Sequence, residues 1–365
     1  MDVEKELREA LGALLAERCD AGRVAALADG PDDWDRDLWA ALSAMGLPGL
    51  AVPAEYGGEG MGFALAAAAQ EELGRGLAPV PSVSTVAVQA ALLAVGDPAG
   101  AARWLPRLAS GEVAAGRTAQ GWVAADGVRA ARTPVGWTLT GSVPVVADAA
   151  AAGLLLVAAG DGAGPALFLV DATAENVRID RLDALDPTRP LAAVHLEAAP
   201  AEPLSDSDGF AEVLGATERA ALVMLAADAV GVAARALDMA VEYAAARRQF
   251  GRAIGSFQAI SHRCADMFVS VESARALVAA AAAALDEPSG DTAVAVDLAA
   301  ACALEAAVTV TGGCVQVHGG MGFTWEHPAH RYLRRAKAAE SLVALPDRLR
   351  ERAATTLVTT ALELP

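Results

Sequence analysis

Aromatic side chains are scarce in this 365-residue chain, at 4%, although 54% of it is hydrophobic. Much of that apolar content is alanine, the strongest helix former, so the composition predicts a helix-dominated globular fold and excludes a disordered chain. Cysteine is sparse too. Cys19, Cys264, Cys302 and Cys314 include no CxxC pair, which excludes the usual zinc spacing and a disulfide framework. They read as small buried hydrophobes in a reducing cytoplasm. Basic charge is in deficit: 28 Lys and Arg face 46 Asp and Glu, a formal net charge of -18. So acidic a surface repels phosphate backbones, so nucleic acid is not an expected partner, and an anionic ligand requires a local cluster of arginines. The first residues, MDVEKELREALGALLAER, lack the basic and apolar regions of a signal peptide. No uncharged apolar run reaches the roughly 20 residues that span a bilayer, so no membrane association is expected.

What is present falls into three stretches. Over residues 1–115 apolar residues recur at helical spacing, as in Leu7, Leu11, Leu14 and Leu15, and again in Leu38, Ala41, Leu42 and Met45, where Gly46 stops the helix. The turn-rich string AVPAEYGGEGMG (51–62) separates these from further helices near 65–73 and 86–95. Residues 116–204 alternate short β-like runs with Gly, Asp and Pro. GWTLTGSVPVV, AGLLLVAAG, GPALFLVDA, VRIDRL and LAAVHLEAA predict five strands of a small barrel or sandwich. From 205 to 365 the pattern is helical again, with segments near 217–248, 256–285 and 292–318, each well beyond an average helix. With one C-terminal helix and the short connections GRAIG and DEPSGD they predict an antiparallel four-helix bundle. The fold class is therefore α+β, mostly α: an N-terminal helical domain, a middle β domain and a C-terminal bundle.

Two strings carry candidate chemistry. Arg247 and Arg248 close one long helix and Phe250-Gly251 break it. Basic residues at a helix C-terminus complement its dipole, and paired arginines beside an aromatic also suit a pyrophosphate and an adenine. Gly319-Gly320 serve equally as a helix cap or as bare backbone against which a nucleotide lies, and Gln316 offers it both a donor and an acceptor.

The chain resembles the acyl-CoA dehydrogenase family over nearly its whole length. The resemblance rests on GLPGLAVPAEYGGEGMG (46–62), EELGRGLAPVPS (71–82), YAAARRQFGRAIGSFQAISHRCADM (243–267) and QVHGGMGFTWEHPAHRYLRRAK (316–337). It implies FAD held between two subunits, the flavin ring by one subunit's β domain and the adenine and pyrophosphate by the neighbour's bundle. The positions here that match the neighbour-side set are Arg247, Gln249, Phe250, Phe257, Gln258, Gln316, Gly319 and Gly320, all suitable in type.

Other positions depart from the family. Its reaction removes an α-proton with a carboxylate while the flavin takes a hydride from the β-carbon. The two places where members keep that carboxylate correspond here to Val343 and Ala221. Glu340, Asp347 and Glu218 lie near them. A continuous helix would put Glu340, Val343 and Asp347 on one face, but Pro346 interrupts it. These acids read as surface charges, with Glu340 a weak alternative base. In the β domain, 116–127 replace the family's Thr-Glu-Pro and Gly-Ser-Asp strings, and Val145 and Ala147 replace its Trp and Thr. The resemblance therefore implies a subunit of a heteromeric acyl-CoA dehydrogenase that supplies the trans half of the FAD site to a second, similar subunit. Acyl-CoA would be the substrate and, if the chain is catalytic, electron-transfer flavoprotein the electron acceptor. The alternatives are a self-sufficient enzyme with a displaced carboxylate and a non-redox protein on the same scaffold. No metal site is expected.

Overall fold

The structure is a computed structural model that describes residues 3–30, 32, 34–116, 127–160, 162 and 164–362. Six helices come first: α1 (Val3–Arg18), α2 (Ala21–Ala28), α3 (Arg36–Ala44), α4 (Gly62–Arg75), α5 (Ser82–Ala94) and α6 (Pro98–Ala109). Side-chain caps set the starts of α3 and α6 among others. The Asp35 carboxylate accepts from Leu38 N at 3.0 Å, and that of Asp97 from Ala99 N and Gly100 N, with Pro98 at the first helical position. Strands β1 (Ala114–Gly116), β2 (Val128–Thr133), β3 (Gly136–Ala147), β4 (Leu154–Gly160), β5 (Pro165–Asp171), β6 (Val177–Leu182) and β7 (Leu191–Ser205) follow in one sheet. Five more helices end the chain: α7 (Phe210–Ala246), α8 (Gln258–Asp286), α9 (Thr292–His318), α10 (Ala329–Ala339) and α11 (Pro346–Leu362).

The helix, sheet, helix order is the one expected, and β3 to β7 are the five expected strands. Two things differ. The sheet also holds β1, which pairs parallel with β4, and β2, which pairs antiparallel with β3; three residues in β1 and a half-polar β2 are too weak a pattern to read. The expected single C-terminal helix is two, because α10 stops at Ala339 and α11 begins at Pro346.

The chain packs as two compact units. One comprises residues 1–25, 67–78 and 222–365; the other comprises 26–66 and 79–221. In the second, the sheet buries alternate residues on two faces. One face packs Leu139, Val157, Phe168, Val194 and Leu196; the other sets Leu154, Leu156, Leu167 and Leu169 against α5 and α6. On β3, β6 and β7 the polar positions are paired as well: Ser142 Oγ lies 2.8 Å from His195 Nδ1, and His195 Nε2 3.2 Å from Asp180.

In the first unit, α4 and α7 touch at glycines. A Cβ at Gly231 would lie 1.9 Å from the Glu71 carbonyl oxygen, and one at Gly74 2.2 Å from that of Asp228. Beside this contact the Asp228 carboxylate, fully buried, takes two hydrogen bonds from Arg335 of α10, Nη2 at 2.6 Å and Nε at 3.1 Å. Gln70 Nε2 adds a third at 3.2 Å, and Arg335 Nη1 reaches the Ala78 carbonyl at 3.4 Å. A buried pair costs desolvation of both ions, so it persists only with its hydrogen bonds satisfied in this way. By length and composition α7, α8 and the stretch Thr292–Phe323 are each long and apolar enough to cross a membrane once up to two charged residues are admitted in the apolar window, a looser measure than the uncharged run sought in the sequence. The apolar windows of α7 and α9 are mostly buried against protein, whereas only 28% of that of α8 is.

Candidate functional site

The end of α7, the start of α8 and the end of α9 meet within the first unit. Tyr243 of α7 stacks on His318 of α9, with ring centroids 4.4 Å apart and planes at 25°. His318 Nδ1 is 2.8 Å from the Cys314 carbonyl, and its ring lies 4.3 Å from that of His327. This stack brings the Arg247 and Gln316 segments to one place.

Past α7 the chain turns in a two-residue hairpin, β8 (Arg248–Gln249) against β9 (Arg252–Ala253). The turn residues Phe250 and Gly251 both have positive φ, +51° and +80°, which is the type I′ geometry that matches strand twist. A bulky aromatic residue is strained there, and such strain gathers at functional sites. Phe250 is also 91% exposed. Its ring meets that of Phe257 edge-on at 6.1 Å, and the Arg252 guanidinium covers Phe257 at 4.0 Å. Arg247 and Arg248 are exposed, and among the described residues neither has an ion-pair partner. On a chain with a net charge of -18 this is the local arginine cluster that an anion requires.

Gln316, two residues before the end of α9, is exposed. Gly319 adopts φ 60° and ψ -135°, a conformation essentially restricted to glycine. A Cβ on Gly319 or Gly320 would meet no atom within 4 Å, so both present open backbone. Around them Phe323 is 82% and Trp325 67% exposed. The residues fit half of a dinucleotide site: free guanidinium donors, two aromatic rings, a side-chain amide and bare backbone. Of the positions named from sequence, Gln249 is turned to its own chain, its Nε2 donating to the Arg248 carbonyl at 2.9 Å, while Gln258 is exposed as the first residue of α8.

The residues that hold this arrangement together, Tyr243, His318, His327 and Arg252, lie within the two strings that carry the resemblance, but no local pattern there marks them as partners. Burial and the neighbouring histidines hold His327 below the usual imidazole range, and burial does the same to His330. The Cys314 thiol, beside His318, is pushed up by burial to about 12 and stays protonated.

The base positions are hydrocarbon. Val343 is buried in the connection between α10 and α11, and Ala221 is buried in α7. Neither side chain can accept a proton. The Glu340 carboxylate pairs with Lys337 at 2.9 Å just past α10, so Glu340, Val343 and Asp347 do not share one helix. Asp347 is exposed beside Arg350, at 3.5 Å. In the second unit Val145 is half-buried and Ala147 buried at the end of β3. Asp148 follows them with φ +60°, buried, accepting from Ser84 Oγ at 2.5 Å. The string at 116–127 lies, except for its two end glycines, outside the described residues.

Comparison with known proteins finds one family over most of the chain. The acyl-CoA dehydrogenase N-terminal domain model matches residues 1–112, and the C-terminal domain model matches 208–342. The acyl-CoA dehydrogenase IpdE2 of Mycobacterium tuberculosis is 35% identical over 341 residues, covering 93% of this chain and 92% of that one. The chain belongs to the acyl-CoA dehydrogenase family. The acyl-CoA dehydrogenase FadE34 of the same organism is 41% identical over 306 residues, covering 84% of this chain, which thus spans only 40% of the length of FadE34. Among solved structures, the ChsE4-ChsE5 complex from Mycobacterium tuberculosis superimposes with a TM-score of 0.89 at 29% identity, over 100% of this chain and 98% of that one.

Proposed function

We propose that this chain is one subunit of a heteromeric acyl-CoA dehydrogenase and supplies the trans half of an FAD site, while a second, similar subunit supplies the catalytic carboxylate and the flavin-ring pocket. The observation that carries the reading is an asymmetry. Open guanidinium, amide and glycine groups surround Arg247 and Gln316, whereas both base positions, Val343 and Ala221, are buried hydrocarbon. The exposed rings of Phe250, Phe323 and Trp325 support it, since apolar surface rimmed by charge marks a protein or ligand interface. The name of ChsE4-ChsE5, a complex of two differently named proteins, is consistent with such pairing.

In this reading FAD, when bound, would supply the two-electron acceptor for desaturation of an acyl-CoA thioester. Arg247 would hold the pyrophosphate by charge-assisted hydrogen bonds, and Gln316 would orient the nucleotide. Gly319 and Gly320 would let it lie against the backbone, and Phe250 and Phe257 would cover the adenine. The α-proton passes to a carboxylate of the partner, and electron-transfer flavoprotein is the acceptor for the complex. The chain is purified alone and with a genomically adjacent acyl-CoA dehydrogenase-like subunit, and acyl-CoA oxidation is assayed. Turnover confined to the pair is expected; turnover by the lone chain at the rate of the pair refutes the reading.

A further inference from the structure

The first unit holds a cavity of about 540 Å³ that shares no residue with the candidate flavin site. A volume of about 300–1,000 Å³ is usual for a small-molecule site. It opens because small residues, Gly12 and Ala16 on α1 and Ala21 on α2, face it; a Cβ added to Gly12 would meet nothing within 4 Å. Its apolar wall includes Leu15, Val24, Leu77 and Met239, and three guanidinium groups, Arg75, Arg235 and Arg331, reach it from α4, α7 and α10. Arg235 lies twelve residues before Arg247 on α7, about 18 Å along the helix at 1.5 Å per residue.

The charges are arranged unequally. Of the two carboxylates of the lining, Glu72 accepts from Arg8 Nη1 at 3.0 Å, closer than it lies to Arg75, and Asp20 caps α2 by accepting from Arg23 N at 2.8 Å. Arg75 holds the partly exposed Asp238 at 2.7 Å and lies 3.8 Å from the part-buried Glu72 of the lining. Among the described residues, Arg235 pairs with the exposed Glu242 alone, at 3.2 Å. Exposed pairs of this kind contribute about 0–1 kcal/mol, so an incoming anion displaces them readily. Tyr332 closes one side, its hydroxyl donating to the Arg75 carbonyl at 2.7 Å.

We propose that this cavity is a binding site for a compact amphipathic carboxylate, with its acid group on Arg235 and Arg75 and its hydrocarbon body against Leu15, Leu77 and Met239. A chamber lined by both apolar and cationic side chains selects for a molecule carrying both features, and a neutral analogue leaves the guanidinium donors unanswered.

The full chain, in whichever assembly it purifies, is titrated calorimetrically with octanoate and with 1-octanol. One saturable octanoate site per chain is expected, with 1-octanol at least about tenfold weaker, the ratio that losing a charged hydrogen bond produces. Met239→Trp fills the chamber and abolishes binding, and Arg235→Ala weakens octanoate about tenfold while leaving 1-octanol unchanged. Thermal unfolding of each variant checks its fold; Arg235→Ala, at the partly exposed rim, decides the question alone if Met239→Trp does not fold. Absence of saturable octanoate binding, equal affinity for 1-octanol, or binding unaffected by Arg235→Ala overturns the proposal.

Discussion

Phe250 joins two costs at one residue: a positive φ that an aromatic side chain resists and a ring exposed to solvent. Replacing it with asparagine, which tolerates the left-handed region, is expected to raise stability by about 0.5–1 kcal/mol in denaturant unfolding. The same change is expected to lower flavin retention by the complex, so stability and cofactor binding move in opposite directions, as they do where strain serves function. Glu340 is the counter-case. Its carboxylate is spent on Lys337 outside any helix shared with Val343, and Glu340→Gln is expected to leave acyl-CoA oxidation by the complex within about twofold, against a loss of about 10²-fold or more for a general base. At Asp228, removing one partner strands the buried guanidinium of Arg335. Asp228→Asn is therefore expected to cost about 3–5 kcal/mol in unfolding free energy, and the double change Asp228→Leu with Arg335→Met much less.

Among the elements, the segment from the end of α9 to the start of α10 concentrates three histidines, His318, His327 and His330, around exposed backbone glycines. The depressed imidazole values of His327 and His330 give a pH dependence with a definite sign. Their folded values lie below the unfolded value of about 6.5, so the native state binds fewer protons than the unfolded state between the two, and stability rises with pH there. Acidification from pH 7 through that window is expected to lower the thermal midpoint, levelling once pH is below the folded values, and His327→Gln is expected to flatten the slope. The element scale also separates what the sequence made legible from what it did not. Long helices such as α7 and α9 and the strands β3 to β5 are readable because their apolar runs, bounded by turn residues, extend over many positions. The hairpin at Arg248–Ala253 is not, because its strands are two residues each and its turn places Phe where Gly or Asn is usual. The break between α10 and α11 has a single local signal, Pro346.

At the level of the whole molecule, the positions of the candidate nucleotide site were legible because they cluster in two specific strings, whereas the histidine stack that aligns those strings and the cavity lined by Arg235 come from side chains far apart in sequence. The same distance hides the glycine contact between α4 and α7, in which Gly231 and Gly74 belong to segments separated by more than a hundred residues. The central claim is the division of labour: this chain offers Arg247, Gln316 and Gly319 to an FAD whose catalytic carboxylate belongs to another subunit. The most direct measurement is the flavin content of the two-subunit complex, read from visible absorbance per protein, with Arg247→Ala and Gln316→Ala introduced into this chain only. The account predicts flavin bound by the unmodified complex and little by this chain alone, and a loss of bound flavin of about tenfold or more per charge-assisted contact removed, with the partner's sequence untouched. Full flavin occupancy and unchanged acyl-CoA oxidation in the doubly substituted complex would contradict it.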